Sequence, residues 1–398
     1  MSDPRPRIDT AGRRARLGRR HLLAPAHRAA TPEAVADAVL GLHATDAATV
    51  HLAAGARLAA PDPGAVEHAL YDDVTLVRLL CMRRTLFAVA ADLVPAVWSS
   101  TAQAIAARER RGMTAWVLDG VPGWDERRLA DVEHLTLAAL AARGAATAAE
   151  LAADVPGLRE TILVSPGKPY EAAVAVSTRI LRVLAAEGRI RRGRPRGGWT
   201  SSSFRWAPGT ALSDRPAPPA EEARADLARR WLAAYGPATV EDLKWWTGWT
   251  LTDTRRALAA TGAVEVLLHD GADGTDGLVL PEDLAPVAPP EPWAALLPAL
   301  DPTAMGWKAR DWYLDPGHVP RLFDRSGNVG PTVWWNGRII GGWAQRADGE
   351  IVWRLLTDDG GREAASTVAD EAARLAAWVG EVRITPRFRT PLERELTG

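Results

Sequence analysis

Leu42-His43-Ala44-Thr45-Asp46 sets an imidazole, a hydroxyl and a carboxyl side by side in an otherwise apolar stretch. Such a set can hold a water by hydrogen bonds, and a protonated histidine can donate a proton. Threonine can orient water but is no base near neutral pH, so Asp46 is the carboxylate on offer. Helix capping gives the same residues a plainer role, with Thr45 or Asp46 as N-cap of the next helix and His43 at the end of the previous one.

Other chemistries find little support. The glycine-rich stretches lack both the P-loop and the dinucleotide fingerprint, so no nucleotide cofactor is expected. The eight histidines are dispersed and Cys81 is the single cysteine, which leaves no expected metal site and no internal disulfide. Ser201, Ser202 and Ser203 have no histidine beside them for nucleophilic hydrolysis.

The 48 basic and 49 acidic residues give a net charge of −1, which at whole-chain level announces no nucleic-acid binder. Position says otherwise. Between residues 172 and 208 stand Arg179, Arg182, Arg189, Arg191, Arg192, Arg194, Arg196 and Arg205 against the single acid Glu187, a local charge of +7. Arginine is suited to phosphate contacts, and this cluster has the footprint expected of a DNA surface. An Arg-rich N-terminus (Arg5 to Arg20) forms a second basic patch. Arg83-Arg84, with Arg108, Arg110 and Arg111, forms a third.

The elements that must carry these residues follow from periodicity and caps. The first 120 or so residues read as helices. Thr31-Pro32-Glu33 starts one, and the His43 cluster falls at a helix–helix junction. Residues 127–142, 147–153 and 172–187 read as three helices, followed by strands at 189–192 and 198–206 around a basic turn. This is a winged-helix order, with the third helix and wing holding the +7 cluster. The order repeats at 223–234, 240–246, 252–260, 264–269 and 277–280, and Ala-Thr-Ala-Ala-Glu-Leu (146–151) is echoed by Ala-Thr-Val-Glu-Asp-Leu (238–243). The second unit is acidic and reads as scaffold. Asn336-Gly337 between apolar runs marks a hairpin, followed by a helix over 366–379 and a closing strand at 382–384, with Trp334 and Trp335 in the core. The expected fold is α+β, mainly α: an N-terminal helical region (1–122), tandem winged helices (123–210 and 221–283) and a C-terminal antiparallel sheet plus helix (290–398).

Taken together, Gly41-Leu42-His43-Ala44-Thr45, Met82-Arg83-Arg84-Thr85-Leu86-Phe87, the helix and wing at 173–206, and Leu314-Asp315 through Gly330-Pro331-Thr332 resemble the bacterial winged-helix DNA glycosylases of the AlkZ and YcaQ type. The resemblance spans about residues 10–390. It implies a monofunctional glycosylase that releases bulky alkylated purines, including crosslinked ones, from damaged double-stranded DNA. In that family catalysis is placed on a Gln–apolar–Gln or Gln–apolar–Asp triplet. The matching positions are His43, Ala44 and Thr45, which depart from it at both polar positions. The expected catalytic residues are His43, Thr45 and Asp46, and the expected DNA contacts Arg83, Arg84, Arg179, Arg182, Arg191, Arg192, Arg194 and Arg196. The alternative is a non-catalytic winged-helix protein, a regulator or a lesion-sequestering protein. With no apolar leader and no run of about 20 apolar residues, the expected location is the cytoplasm, away from membranes.

Overall fold

The computed structural model describes residues 5–209, 211–269 and 274–398. Asp270 and Asp273, at the expected tip of the second wing, lie outside them.

The N-terminal region departs from the helical expectation. Thr31 does cap a helix over Pro32–Ala38, accepting from the Ala34 N–H, and Asp46 caps Ala47–Gly55. Between the two, Leu42–His43 is a short strand, edge to edge with Thr85–Ala90, which in turn pairs with Leu76–Cys81. The runs at 76–81 and 85–90 are apolar without a clear period, a pattern that fits a buried strand as well as a helix. Gly41 lets the chain enter this sheet: its φ is +115°, and a Cβ there would stand 2.9 Å from Val89.

The first winged helix comprises Glu126–Arg143, Ala148–Asp154 and Ser177–Ala186, then the hairpin Ile190–Pro195 with Phe204–Pro208. Thr147 and Glu150 close a capping box at the second helix. The third helix is shorter than expected, because Ala172–Ala175 is a strand paired with Thr161–Val164. This unit keeps a core of its own, centred on Leu151, Ile180, Leu184 and Trp206.

The second unit repeats the order with Ala220–Tyr235, Val240–Thr247, Leu251–Ala259 and the strands Val264–His269 and Gly274–Val279. Its core is shared. Trp231, Tyr235 and Trp246 pack in one cluster with Val97 and Trp98 from the N-terminal region and Trp307, Tyr313 and Trp334 from the C-terminal region. Arg57 adds a polar tie. Fully buried, it donates to both Asp301 carboxylate oxygens at 2.9 and 2.7 Å, and also to the Thr303 hydroxyl and the carbonyls of His21 and Ala53.

The C-terminal region is a four-stranded antiparallel sheet, in the order Ala294–Leu297, Thr332–Trp335, Arg338–Gln345, Ile351–Leu355. Asn336 and Gly337 both have positive φ, as the hairpin signal requires. The helix Gly361–Val379 covers the sheet, and Trp334 and Trp335 are core. The expected strand at 382–384 does not form. Its backbone is held instead by Gln345, which accepts from the Ile384 N–H and donates to the Val382 carbonyl. No helix of the described residues is long and apolar enough to cross a membrane.

Candidate active site

Strand alternation aims His43. Leu42 and Ala44 enter the core under the small sheet, so His43 between them faces the other way, against Phe87 and into a cavity of about 650 Å³. The imidazole is 5% exposed, and its Nδ1 is buried with no hydrogen-bond partner. Burial, and then the Arg83 guanidinium, push its pKa down to about 3. Near neutral pH it is therefore an uncharged imidazole.

Thr45 and Asp46 follow where the chain leaves the strand. Thr45 lines three adjoining cavities: the one holding His43, a second of about 660 Å³ against the first winged helix, and a smaller cleft of about 280 Å³ beside the wing. Asp46 faces the first cavity and the cleft. One of its oxygens accepts from the Ala48 N–H at 3.1 Å, which makes it the N-cap foreseen from sequence. Burial raises its pKa, opposed by that hydrogen bond and by Arg387. Capping and chemistry thus coexist, since the cap uses only part of the carboxylate's accepting capacity.

Three arginines converge on this turn. Arg78, Arg192 and Arg387 all line the cleft beside Thr45 and Asp46. Arg78 lies against Tyr71 and donates to its hydroxyl, Arg192 lies over Phe204, and Arg387 donates to the Thr45 carbonyl at 3.1 Å. None of the three has a carboxylate partner among the described residues. Burial and the charges of Arg78 and Arg387 hold the Arg192 pKa down to about 10, still protonated at neutral pH.

The rest of the +7 cluster is more neutral than its sequence suggests. Arg182 pairs with Glu109, Arg189 with Glu133, Arg194 with Glu67 and Asp72, and both Arg196 and Arg205 with Glu150. These acids come from segments distant in sequence, so a local charge count misses them. Arg179, over Trp116, and Arg191, which donates to the Tyr71 carbonyl, have no carboxylate partner among the described residues. The wing itself is docked: Trp199 stacks on His51 at 5.0 Å and on Trp378 at 5.9 Å.

The second and third basic patches are also partly structural. Arg16 donates to the carbonyls of Asp283 and Ala285, and Arg20 pairs with Asp283 at 2.5 Å. Arg84 pairs with Glu109. Arg83 lines the His43 cavity, on a left-handed backbone (φ +53°), with its guanidinium over Trp245.

Sequence reasoning missed Arg78, Arg387, Trp245, Arg310 and Glu393, all at these cavities. Arg78 carried a signal, being a lone cation inside an apolar strand run; the others carried none. Glu393 is buried at the far C-terminus, where it caps the helix Pro391–Thr397, and burial lifts its pKa to about 7. Among the described residues, no group of three or more His, Cys, Asp or Glu side chains is placed to hold a metal ion.

Residues 36–378 match the family model described as DNA glycosylase AlkZ-like. An interstrand DNA cross-link repair glycosylase of Streptomyces sahachiroi is 28% identical over 175 residues, 43% of this chain and 47% of that protein. The match thus spans about half the length of the curated relative. The structure of Streptomyces sahachiroi DNA glycosylase AlkZ superposes with a TM-score of 0.67 over 95% of this chain and 98% of that one, at 22% identity, which speaks to the fold.

Proposed function

This chain belongs to the AlkZ-like DNA glycosylase family, and from that premise we propose that it hydrolyses the N-glycosidic bond of bulky N7- or N3-alkylated purines, crosslinked ones included, in damaged double-stranded DNA. The observation that carries this reading is the turn at Thr45 and Asp46. There a half-buried carboxylate and a neutral histidine share a cavity, and three arginines without acidic partners line the approach.

An alkylpurine of this kind is already cationic and leaves readily, so the site has to stabilise an oxocarbenium-like sugar and position water. The C1′–N9 bond of an N7-alkylguanine breaks with its electron pair going to the base, which departs neutral. The Asp46 carboxylate faces the positive charge that develops on the sugar and takes the proton of the attacking water. The neutral His43 imidazole accepts a hydrogen bond from that water or donates to a sugar oxygen, according to its tautomer. Thr45 orients the same water. A damaged base costs less to extrude than a paired one, which favours lesions without base-specific readout.

Arg78, Arg192 and Arg387 hold the phosphates flanking the extruded nucleotide, with Arg179 and Arg191 further along the duplex. Arg84, Arg182, Arg194 and Arg196 already have acidic partners and contribute less, and Arg83 lines the His43 cavity instead. The protein would act where the DNA is, in the cytoplasm.

The reading is tested with a duplex carrying an N7-alkylguanine, following release of free base by chromatography and the abasic strand by alkaline cleavage. Release of the alkylated base, lost in His43→Ala while binding persists, is expected. Tight lesion binding with no base released would overturn hydrolysis and assign a lesion-sequestering role instead.

A further inference from the structure

The cavity against the first winged helix has no part in the hydrolytic step. It shares only Thr45 and Thr85 with the His43 cavity, so these two residues form the partition between them. One wall is the third helix of the winged unit, Ser177–Ala186, whose Ser177, Leu181 and Ala185, spaced four apart, lie on the face that lines the cavity. The other wall is the small sheet, where Leu80 and Leu86 stand directly opposite one another on adjacent strands. Phe204 and Trp206 border it from the wing, their rings 5.0 Å apart and nearly perpendicular. A helix faced by a sheet in this way cannot lay that face in a major groove about 12 Å wide. The space, about 660 Å³, suits one nucleotide and not a duplex.

Its charge is one-sided. Arg78, Arg84, Arg182, Arg191 and Arg192 line the cavity, and among the described residues no aspartate or glutamate does. Arg84 and Arg182 are both drawn to Glu109. The other three have no carboxylate partner among the described residues, and the buried Arg78 Nε has no acceptor. Cations beside apolar walls are unfavourable unless an acceptor joins them. Unpaired guanidiniums next to Leu80, Leu86 and Phe204 therefore suit a flat apolar ring system that carries an anion. Arg192, held over Phe204 at 4.4 Å, adds a second planar surface, and bases stack on guanidiniums as well as on aromatic rings. The cavity is also continuous with the DNA cleft, since Thr45, Arg78, Arg192 and Phe204 line both.

We propose that this second cavity receives the nucleotide of the complementary strand that stood opposite the lesion, with its base against Leu80, Leu86 and Phe204 and its phosphate at Arg191. The proposal rests on the glycosylase reading above. Once the damaged purine has entered the His43 cavity, its former partner has no base pair, so extruding it costs stacking alone. Every neighbouring nucleotide is still paired and costs more to move. Holding the two partners on either side of the Thr45–Thr85 partition keeps the emptied position from closing while the lesion is in the site.

The test uses a duplex with a tetrahydrofuran abasic site and 5-iodouracil opposite it, which offers nothing to hydrolyse, so its outcome is independent of base release. Irradiation of the complex should join the iodouracil to Phe204 or Trp206, as read by peptide mass spectrometry. A photoadduct only outside the cavity, or none, would overturn the proposal. Affinity supplies a second readout. The wild-type protein should bind the tetrahydrofuran duplex with thymine opposite the site roughly tenfold tighter than the same duplex with a propanediol spacer there, within the range for stacking one base on protein side chains. Ala185→Phe, which fills the cavity from the helix, should bring that ratio to about one, and Ala185→Ser should keep it. A wild-type ratio near one, or a ratio unchanged in Ala185→Phe, would contradict the assignment. Micromolar binding of free thymidine monophosphate, lost in Ala185→Phe, would reassign the cavity to a free nucleotide and overturn the assignment to the complementary strand. Failure to release an N7-alkylguanine, with the photoadduct and the affinity ratio intact, would count against the glycosylase reading alone.

Discussion

Arg387 donates a 3.1 Å hydrogen bond to the carbonyl of Thr45, fastening the last segment of the chain to the turn that carries the candidate catalytic residues. Its charge also opposes the rise that burial imposes on the Asp46 pKa. Arg387→Ala should therefore loosen the turn and move the acidic limb of the pH–rate profile upward, with kcat/KM falling about ten- to a hundredfold. A profile that keeps its acidic limb in place would separate Arg387 from Asp46.

Phosphate contact should distinguish arginines that look alike in sequence. Arg192→Gln should reduce the slope of log K against log salt by about 0.9, the value for one neutralised phosphate. Arg194→Gln, whose guanidinium already pairs with Glu67 and Asp72, should leave the slope nearly unchanged. Titrations of an undamaged duplex at several salt concentrations measure both.

Acid should destabilise the fold through its buried histidines. Burial holds the pKa of His21, His43 and His51 at about 3, whereas an unfolded chain titrates them near 6.5. Below pH 6.5 the unfolded state binds more protons, so stability falls as the pH drops from about 6.5 toward 3, by roughly 1.4 kcal/mol per pH unit for each group. Glu393 has the opposite sign. Its pKa is raised to about 7, so its contribution is lost as the pH rises from about 4.5 to 7. Denaturant midpoints across this range should fall on acidification, and Glu393→Gln should steepen the fall by removing the opposing group.

Removing one partner of the buried Arg57–Asp301 pair should be costly. Arg57→Met leaves the Asp301 carboxylate buried without its bidentate partner, with an expected loss of about 3–5 kcal/mol in chemical denaturation. A loss below about 1 kcal/mol would contradict a stabilising role for this pair.

What could be read from the sequence was what local chemistry decides. The Thr147 and Thr239 capping boxes, the Asn336-Gly337 turn and the Asp46 cap all form as their residue types require. The strands 76–81 and 85–90 were hidden, because a mainly apolar run without a clear period fits a strand or a helix and the Arg83-Arg84 turn between them contains no glycine to announce it. The site was half legible. His43, Thr45 and Asp46 stand out as neighbours in sequence, whereas Arg78, Arg310 and Arg387 reach them only through tertiary contacts. The charge of the wing misled for the same reason, since its acidic partners Glu67, Asp72, Glu109 and Glu150 lie far away along the chain.

The most direct test of the hydrolytic role is single-turnover base release from an N7-alkylguanine duplex by the wild-type protein and by Asp46→Asn. Asparagine caps a helix about as well as aspartate, so the substitution removes the charge while sparing the fold. Release by the wild-type protein, falling at least a hundredfold in Asp46→Asn with lesion affinity retained, is the expected result. Equal release rates for the two proteins would contradict the assignment of Asp46 as the carboxylate that acts on the sugar and water.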